Sequence, residues 1–135
     1  MDRRSTIRVE DLDYLHDAPV TALTWRVPAD GMLRQIALSV TVPDDADGPF
    51  ADHRNRRIDV VFVDAVVVRF CGHGAINGPE TFDSGGPELL DDARADRERL
   101  RSAGLYEGDV TVGMAFHSGS ELNVSCERIE LVTLE

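Results

Sequence analysis

The segment from Ile58 to Phe70 is the strongest constraint on the fold of this chain. It reads Ile-Asp-Val-Val-Phe-Val-Asp-Ala-Val-Val-Val-Arg-Phe, an almost continuous apolar run that is rich in β-branched residues. Such residues fit the pleated and buried surface of a sheet. The sequence therefore predicts the central strands of a β-sheet here, with a bulge or bend where Asp64-Ala65 interrupts the run.

Two alternating segments before this run predict further strands. Residues 20–27 place Leu23, Trp25 and Val27 on one face, and residues 36–42 alternate apolar and small polar side chains. A period of two residues is the pattern of a strand with one buried face. Because turn residues separate the two segments, we expect them to form a hairpin.

The same alternation returns near the end of the chain. Residues 110–116 and 122–126 flank a tight turn at Ser118-Gly119, which predicts a C-terminal hairpin. After a break, Ile129 begins a further apolar alternation, so we expect one last strand there.

One helix is expected, over about residues 87–103. Pro87 suits the first helical position, apolar residues recur at helical spacing, and Gly104 ends the segment. Residues 72–86 are rich in turn formers and are expected to be irregular. Together these segments predict a single α+β domain over residues 1–135, mainly β. Its antiparallel sheet or sandwich would have about six to seven strands, with the one amphipathic helix before the C-terminal hairpin.

The net charge restricts the classes of partner. The 135 residues carry a formal net charge of −11, whereas nucleic acids and anionic membranes favour positively charged surfaces. We therefore expect a basic protein partner, and neither nucleic acid nor membrane. No apolar run has the length of a signal peptide or a membrane span, so the expected location is the cytoplasm.

Side chains that could perform chemistry are few and scattered. Cys71 and His73 are a thiol and an imidazole close in sequence, a pairing that activates cysteine nucleophiles, but a strand end followed by a turn explains them more simply. A zinc site from Cys71, His73, His117 and Cys126 would require the two hairpins to meet, which the spacing does not demand. The sequence therefore predicts no catalytic residue, metal or cofactor, and Cys71 and His73 are the candidates if the chain is an enzyme.

Three other short motifs also have simpler structural explanations. His16-Asp17 resembles the metal-binding pair of phosphohydrolases, yet it precedes Ala18-Pro19 and a strand, so a turn is expected. Ser84-Gly85-Gly86-Pro87 could cradle a phosphate, but the carboxylates that follow would repel it, and the loop is assigned to helix entry. Residues 44–48 lack the carboxylate spacing of a calcium loop. None of the three is predicted to hold a ligand.

The acidic residues define the predicted binding surface. Many of them fall in the loop that begins at Pro43 and in the predicted helix, and Phe50 beside the loop would supply an apolar anchor. Such clusters are usually solvated surface, and the sharper hypothesis is that they steer a basic protein partner. The residues assigned to this surface are Asp44, Asp45, Asp47, Phe50, Glu88, Asp91, Asp92 and Asp96.

Three stretches of sequence carry a family resemblance. They are Leu15-His16-Asp17-Ala18-Pro19-Val20 before the Trp25 strand, Val61-Phe62-Val63-Asp64-Ala65-Val66, and Phe116-His117-Ser118-Gly119-Ser120-Glu121-Leu122. With these stretches and its order of elements, the chain resembles a loose group of small bacterial β-rich proteins. Many of them are uncharacterised, and some are described as immunity proteins of polymorphic toxin systems. The group shares no catalytic motif, so the resemblance assigns no role to any residue.

The preferred hypothesis is a small acidic binding protein that neutralises a basic partner such as a toxin domain. One alternative is a small enzyme that uses Cys71 and His73. The other is a structural or regulatory subunit that oligomerises through an open sheet edge.

Overall fold

The computed structural model describes residues 3–26, 34–71, 80–86, 91–104 and 110–133. Over these residues the chain is mainly β, with nine strands, two 3₁₀ helices and one α-helix. The strands are β1 (Arg3–Ile7), β2 (Pro19–Arg26), β3 (Gln35–Thr41), β4 (Arg57–Val63), β5 (Val66–Cys71), β6 (Glu80–Gly86), β7 (Val110–Phe116), β8 (Glu121–Cys126) and β9 (Arg128–Thr133). The 3₁₀ helices cover Val9–Leu15 and Gly48–His53, and α1 covers Asp91–Ser102. Within the described ranges, no helix is both long enough and apolar enough to cross a membrane.

All nine strands belong to one antiparallel sheet, in the order β1-β9-β4-β3-β2-β6-β7-β8-β5. β2 and β3 form the predicted first hairpin, and β7 and β8 form the predicted C-terminal hairpin. The predicted α+β fold, mainly β and antiparallel with one helix before that hairpin, is confirmed.

The sheet folds over on itself. Only Asp64 and Ala65 separate β4 from β5, yet five other strands lie between them in the sheet. A flat sheet with a strand spacing of about 4.8 Å would place β4 and β5 about 29 Å apart. Three peptide steps span at most about 11 Å. The predicted bend at Asp64 therefore carries the chain from one half of the sheet to the other, and Glu127 does the same between β8 and β9.

One hydrophobic core fills the space between the two halves. Leu38 and Val60 of β3 and β4 belong to the same buried cluster as Val112 and Val124 of β7 and β8. The 3₁₀ helices add further apolar side chains to this cluster, including Phe50. The core is thus built from both halves of the folded sheet.

Burial of both faces explains why the apolar run in β4 is nearly continuous. Val60 and Phe62 belong to the main core, whereas Val61 and Val63 lie on the opposite face of the strand. That second face is also buried, in a small cluster that includes Val132 of β9. A strand buried on both sides has no need of polar alternation.

Two segments form strands that the sequence did not predict, so the described strands outnumber the expected six to seven. Residues 80–86, expected to be irregular, form β6 because Phe82 is fully buried and its backbone bonds both Asp17 and Ala18. Tertiary pairing here outweighs the low strand propensity of Gly85 and Gly86. The polar segment Arg3–Ile7 forms β1, an edge strand paired with β9.

The predicted helix is described from Asp91 onward. α1 covers Asp91–Ser102, where the sequence predicts about 87–103. Residues 87–90 lie outside the described residues, so the predicted role of Pro87 is untested.

Candidate functional site

Three separate segments bring two histidines and two aspartates together on the surface. This His–Asp cluster consists of His16, Asp17, Asp83 and His117. Main-chain hydrogen bonds to β6 hold the segments in place. The Asp17 amide donates to the Phe82 carbonyl oxygen at 2.8 Å, and the His117 amide donates to the Thr81 carbonyl oxygen at 2.9 Å. Hydrogen bonds to the main chain of β6 just before Asp83 therefore position the segments that carry the cluster.

The turn after the first 3₁₀ helix points two members of the cluster outward. Leu15 and Ala18 are completely buried, whereas His16 and Asp17 between them are exposed. Asp17 has a φ of 68°, a left-handed conformation that Asp tolerates because its short side chain can bond locally. The turn expected at this motif is thus present, but its side chains face partners that the sequence did not indicate.

Each carboxylate of the cluster lies beside both imidazoles. Asp17 places Oδ1 at 3.1 Å from His117 Nε2 and Oδ2 at 3.6 Å from His16 Nε2. Asp83 places Oδ1 at 3.6 Å from His117 Nε2 and at 3.6 Å from His16 Nδ1. The two rings meet edge to face with centroids 6.1 Å apart. All four side chains are partly exposed, so the cluster is open to solutes.

A short hydrogen bond fixes the orientation of the His16 ring. Its Nδ1 lies 2.6 Å from the carbonyl oxygen of Asp83. Because a carbonyl oxygen only accepts, Nδ1 carries the hydrogen, and Nε2 keeps its lone pair when the ring is neutral. This bond raises the pKa of His16, followed in size by the charge of Asp17, while partial desolvation acts in the opposite direction. The carboxylates of Asp83 and Asp13 raise that pKa further.

An acidic cleft of about 460 Å³ opens beside the cluster. It is lined by Tyr14, His16, Asp17, Pro43, Asp44, Asp45, Ala46 and Asp47. Among these described lining residues, four are aspartates and none is Lys or Arg. The guanidinium of Arg54 steadies one wall, because it donates to Asp47 Oδ1 at 3.0 Å and to the Ala46 carbonyl oxygen at 2.8 Å. The loop carboxylates at 44, 45 and 47 therefore share one concave surface with part of the His–Asp cluster.

The structure corrects the expected apolar anchor of this surface. Phe50 is 0% exposed and belongs to the main core, so its ring does not reach the surface. Tyr14 is 46% exposed and lines the cleft instead. Tyr14 lies in a polar segment without alternation, so its local pattern carries no signal of an exposed aromatic contact.

The helical part of the predicted acidic surface stays a prediction that the described residues do not test. Glu88 lies outside the described residues, and Asp91, Asp92 and Asp96 lie on α1, where nothing further is described for their side chains. The sequence of α1, DDARADRERLRS, contains four acidic and four basic residues. The formal charges of α1 over these residues therefore cancel, whereas the charged residues that line the described cleft are aspartates.

Cys71, His73, His117 and Cys126 do not form one four-ligand zinc site. Cys126 is buried and pairs with Val110, at the opposite end of the β7–β8 hairpin from His117. Cys126 and His117 are therefore too far apart to bind the same ion. Cys71 ends β5, nothing is described for its side chain, and His73 lies outside the described residues. The catalytic candidates are thus untested.

The glycine segment at 84–86 is also placed differently from its expected position. These residues belong to β6 and are not a loop at helix entry. The amide of Gly85 already donates to Asp13 Oδ1 at 3.2 Å. The Gly85 N–H group, which a bound phosphate would need as a donor, is thus already hydrogen-bonded to the Asp13 carboxylate.

His16, Asp17 and His117 stand out in the sequence, but no pattern in it links them to Asp83. His16 and Asp83 are 67 residues apart, and a separation of that length carries no spacing signal. Comparison of the chain with protein-family models, with curated proteins and with solved structures finds no match. The candidate site therefore rests on its own geometry.

Proposed function

We propose that this chain is a cytoplasmic binding protein that neutralises a basic protein partner, such as a toxin domain, and that the partner docks at the acidic cleft. The observation that carries the proposal is the lining of this cleft. Asp17, Asp44, Asp45 and Asp47 converge on one concavity, and the described lining contributes no guanidinium or ammonium group. A Lys or Arg side chain of a partner would find several carboxylates within reach of one position.

Charge complementarity of this kind acts mainly on encounter and selectivity. A net charge of −11 favours the approach of a basic protein at long range, and a concave acidic surface focuses that attraction. Screening shortens the range of the attraction to about 8 Å at physiological salt. The association rate should therefore fall steeply as salt is added.

Tyr14 supplies the aromatic contact that the acidic cleft needs for affinity. Its ring is exposed and rests against Gly48, where a Cβ atom would come within 2.6 Å of Tyr14 Cε2. Tyrosine is enriched among the residues that dominate binding energy at interfaces. An aromatic face beside carboxylates can also receive a cationic side chain through a cation–π contact.

The proposal is tested by mixing the purified chain with each protein encoded beside its gene. We expect one basic neighbour to bind, with an association rate that falls as salt rises. The double variant Asp44→Asn/Asp45→Asn should lower that rate by about tenfold, since it removes half of the aspartates that line the cleft.

A control variant separates this surface from net charge alone. Glu98→Gln/Glu127→Gln removes two exposed carboxylates that do not line the cleft. It changes the net charge by the same amount and should leave the association rate within about twofold of wild type. Equal losses in both double variants, or no complex with any neighbour at low salt, would overturn the proposal.

A further inference from the structure

We infer that the His–Asp cluster is a binding site for a divalent transition-metal ion of the zinc class. The inference concerns His16, Asp17, Asp83 and His117, and it goes beyond the docking of a protein partner. It needs neither of the cysteines.

The donor types match this class of ion. Imidazole nitrogens and carboxylate oxygens together are typical ligands of zinc and its first-row neighbours. Magnesium and calcium prefer sites made only of oxygen, so two imidazoles disfavour them. A site without thiolate likewise disfavours copper in its reduced state.

The spacing of the donor atoms fits a single ion. One ligand atom from each of His16, Asp83 and His117 lies within 4.8 Å of the others. Zinc bonds of about 2.0–2.2 Å in a tetrahedron place neighbouring donors about 3.3–3.6 Å apart. His117 Nε2 lies 3.1 Å from Asp17 Oδ1 and 3.6 Å from Asp83 Oδ1. His16 Nε2 lies 3.6 Å from Asp17 Oδ2, so side-chain rotations would bring these donors onto one ion.

The orientation of His16 is that of a prepared metal ligand. Its Nδ1–H is engaged by the Asp83 carbonyl oxygen at 2.6 Å, which leaves Nε2 directed toward Asp17, 3.6 Å away. Metal-bound histidines commonly donate their other ring N–H to a carbonyl or carboxylate, which fixes the tautomer and the ring plane. His16 has this arrangement.

The main chain also holds the donors in register. The ligands come from the turn before β2, from the middle of β6 and from the turn between β7 and β8. Backbone hydrogen bonds from Asp17 and His117 to β6 join these three segments. An ion would need to order only partly exposed side chains, because the backbone that carries them is already paired.

Binding would connect the metal to the acidic cleft. His16 and Asp17 line the cleft and also belong to the His–Asp cluster. Since all four ligands are partly exposed, a coordination position can remain open for water or for a group of a docked molecule.

The test is a calorimetric titration of Zn²⁺ into the full chain after treatment with a chelator. We expect one ion per chain, and we expect His16→Ala, His117→Ala and Asp17→Asn each to weaken binding by at least about tenfold. Asn is chosen at position 17 because it tolerates the left-handed backbone. His16→Gln and His117→Gln repeat the measurement with side chains of closer size, and circular dichroism confirms the fold of each variant.

Two controls make the result specific. The chain has four histidines, so His53→Ala/His73→Ala removes the same number of imidazoles as the double variant of the cluster and should bind Zn²⁺ as wild type does. Cys71→Ser should also bind normally, and the Co²⁺-loaded chain should lack a thiolate-to-metal charge-transfer band.

Three results would overturn the inference. They are the absence of Zn²⁺ binding, binding that survives the loss of both cluster histidines, and binding that the Cys71→Ser or His53→Ala/His73→Ala variant abolishes. The titration contains no protein partner, so its failure leaves the proposed function intact, and the reverse also holds.

Discussion

The Glu127 amide donates a hydrogen bond of 2.9 Å to the Val63 carbonyl oxygen, and this bond joins the two bends of the folded sheet. On one side of it β4 pairs with β9, and on the other side β5 pairs with β8. The stretch that contains β4 and β5 therefore pairs with the stretch that contains β8 and β9 in both halves of the sheet. Asp64, the residue after Val63, makes the turn with a φ of 51°.

Replacing Asp64 by Val should destabilise the protein by about 1–2 kcal/mol, because a β-branched residue is strained in the left-handed region. Asp64→Asn should cost much less, since Asn tolerates this conformation. Urea unfolding of the two variants measures the difference. Similar losses for both would show that the Asp64 charge, and not its backbone conformation, maintains the bend.

Alanine substitutions at Gly48 and Gly104 distinguish the cost of backbone strain from the cost of crowding at the cleft. Gly48 and Gly104 both have positive φ, at 64° and 70°, so alanine at either position should cost about 1–2 kcal/mol. A Cβ at Gly48 would also approach Tyr14 Cε2 to 2.6 Å, whereas a Cβ at Gly104 meets nothing within 4 Å. Gly48→Ala should therefore destabilise more than Gly104→Ala in urea unfolding, and it alone should weaken the partner complex. Equal effects would argue that the ring of Tyr14 moves aside freely.

Tyr14 and Phe50 should show opposite phenotypes. Phe50→Ala should lower the free energy of unfolding by about 3–5 kcal/mol, since it removes a ring that is completely buried. Tyr14→Ala should change stability by less than about 1 kcal/mol but weaken the partner complex by about 2 kcal/mol, or about thirtyfold in Kd. Thermal unfolding and a binding titration check the two properties. A folded Phe50→Ala variant with weakened binding and normal stability would restore Phe50 as the anchor.

The free energy of unfolding should fall at alkaline pH because the buried thiol of Cys126 resists ionisation in the folded chain. Burial, together with the charge of Asp64, raises the pKa of Cys126 from its ordinary value of 9.0 to about 12. Below pH 9.0 both folded and unfolded chains keep the proton, so the stability contribution is fully present. Between pH 9.0 and about 12 the unfolded chain releases it first. Stability should then fall by about 1.4 kcal/mol per pH unit.

The measurement uses a Cys71→Ser background, so that Cys126 is the single thiol. Its free energy of unfolding is followed against pH beside that of Cys71→Ser/Cys126→Ala. The variant with Cys126 should decline more steeply over the window from 9.0 to about 12. Parallel declines would contradict a thiol whose titration is linked to folding. The native thiol should also resist alkylation near neutral pH, because only the thiolate reacts.

The parts of the fold that could be predicted from sequence are those with strong local patterns. The apolar run of β4 and β5, its interruption at Asp64 and the alternation around Ser118-Gly119 each specify strands or a turn. β6 could not be predicted, because its glycines have low strand propensity and its order comes from Phe82 in the core.

The candidate site was less accessible to prediction than the fold. The carboxylates at 44, 45 and 47 were expected at a binding surface, and they line the acidic cleft. The meeting of His16 with Asp83 depends on hydrogen bonds across β6, which no short motif records. Phe50 was misplaced for a related reason, since an isolated aromatic residue in a polar loop does not show whether it faces outward or inward.

The position of β9 has a consequence for the order in which the protein can fold. β9 follows all the other described strands in the chain, yet it lies between β1 and β4 in the sheet. Until it arrives, β1 has no neighbour and β4 presents an unpaired row of backbone groups. Long-range pairing of this kind slows folding, and an open edge invites association with other chains. During synthesis the nascent sheet therefore stays vulnerable to aggregation until β9 leaves the ribosome.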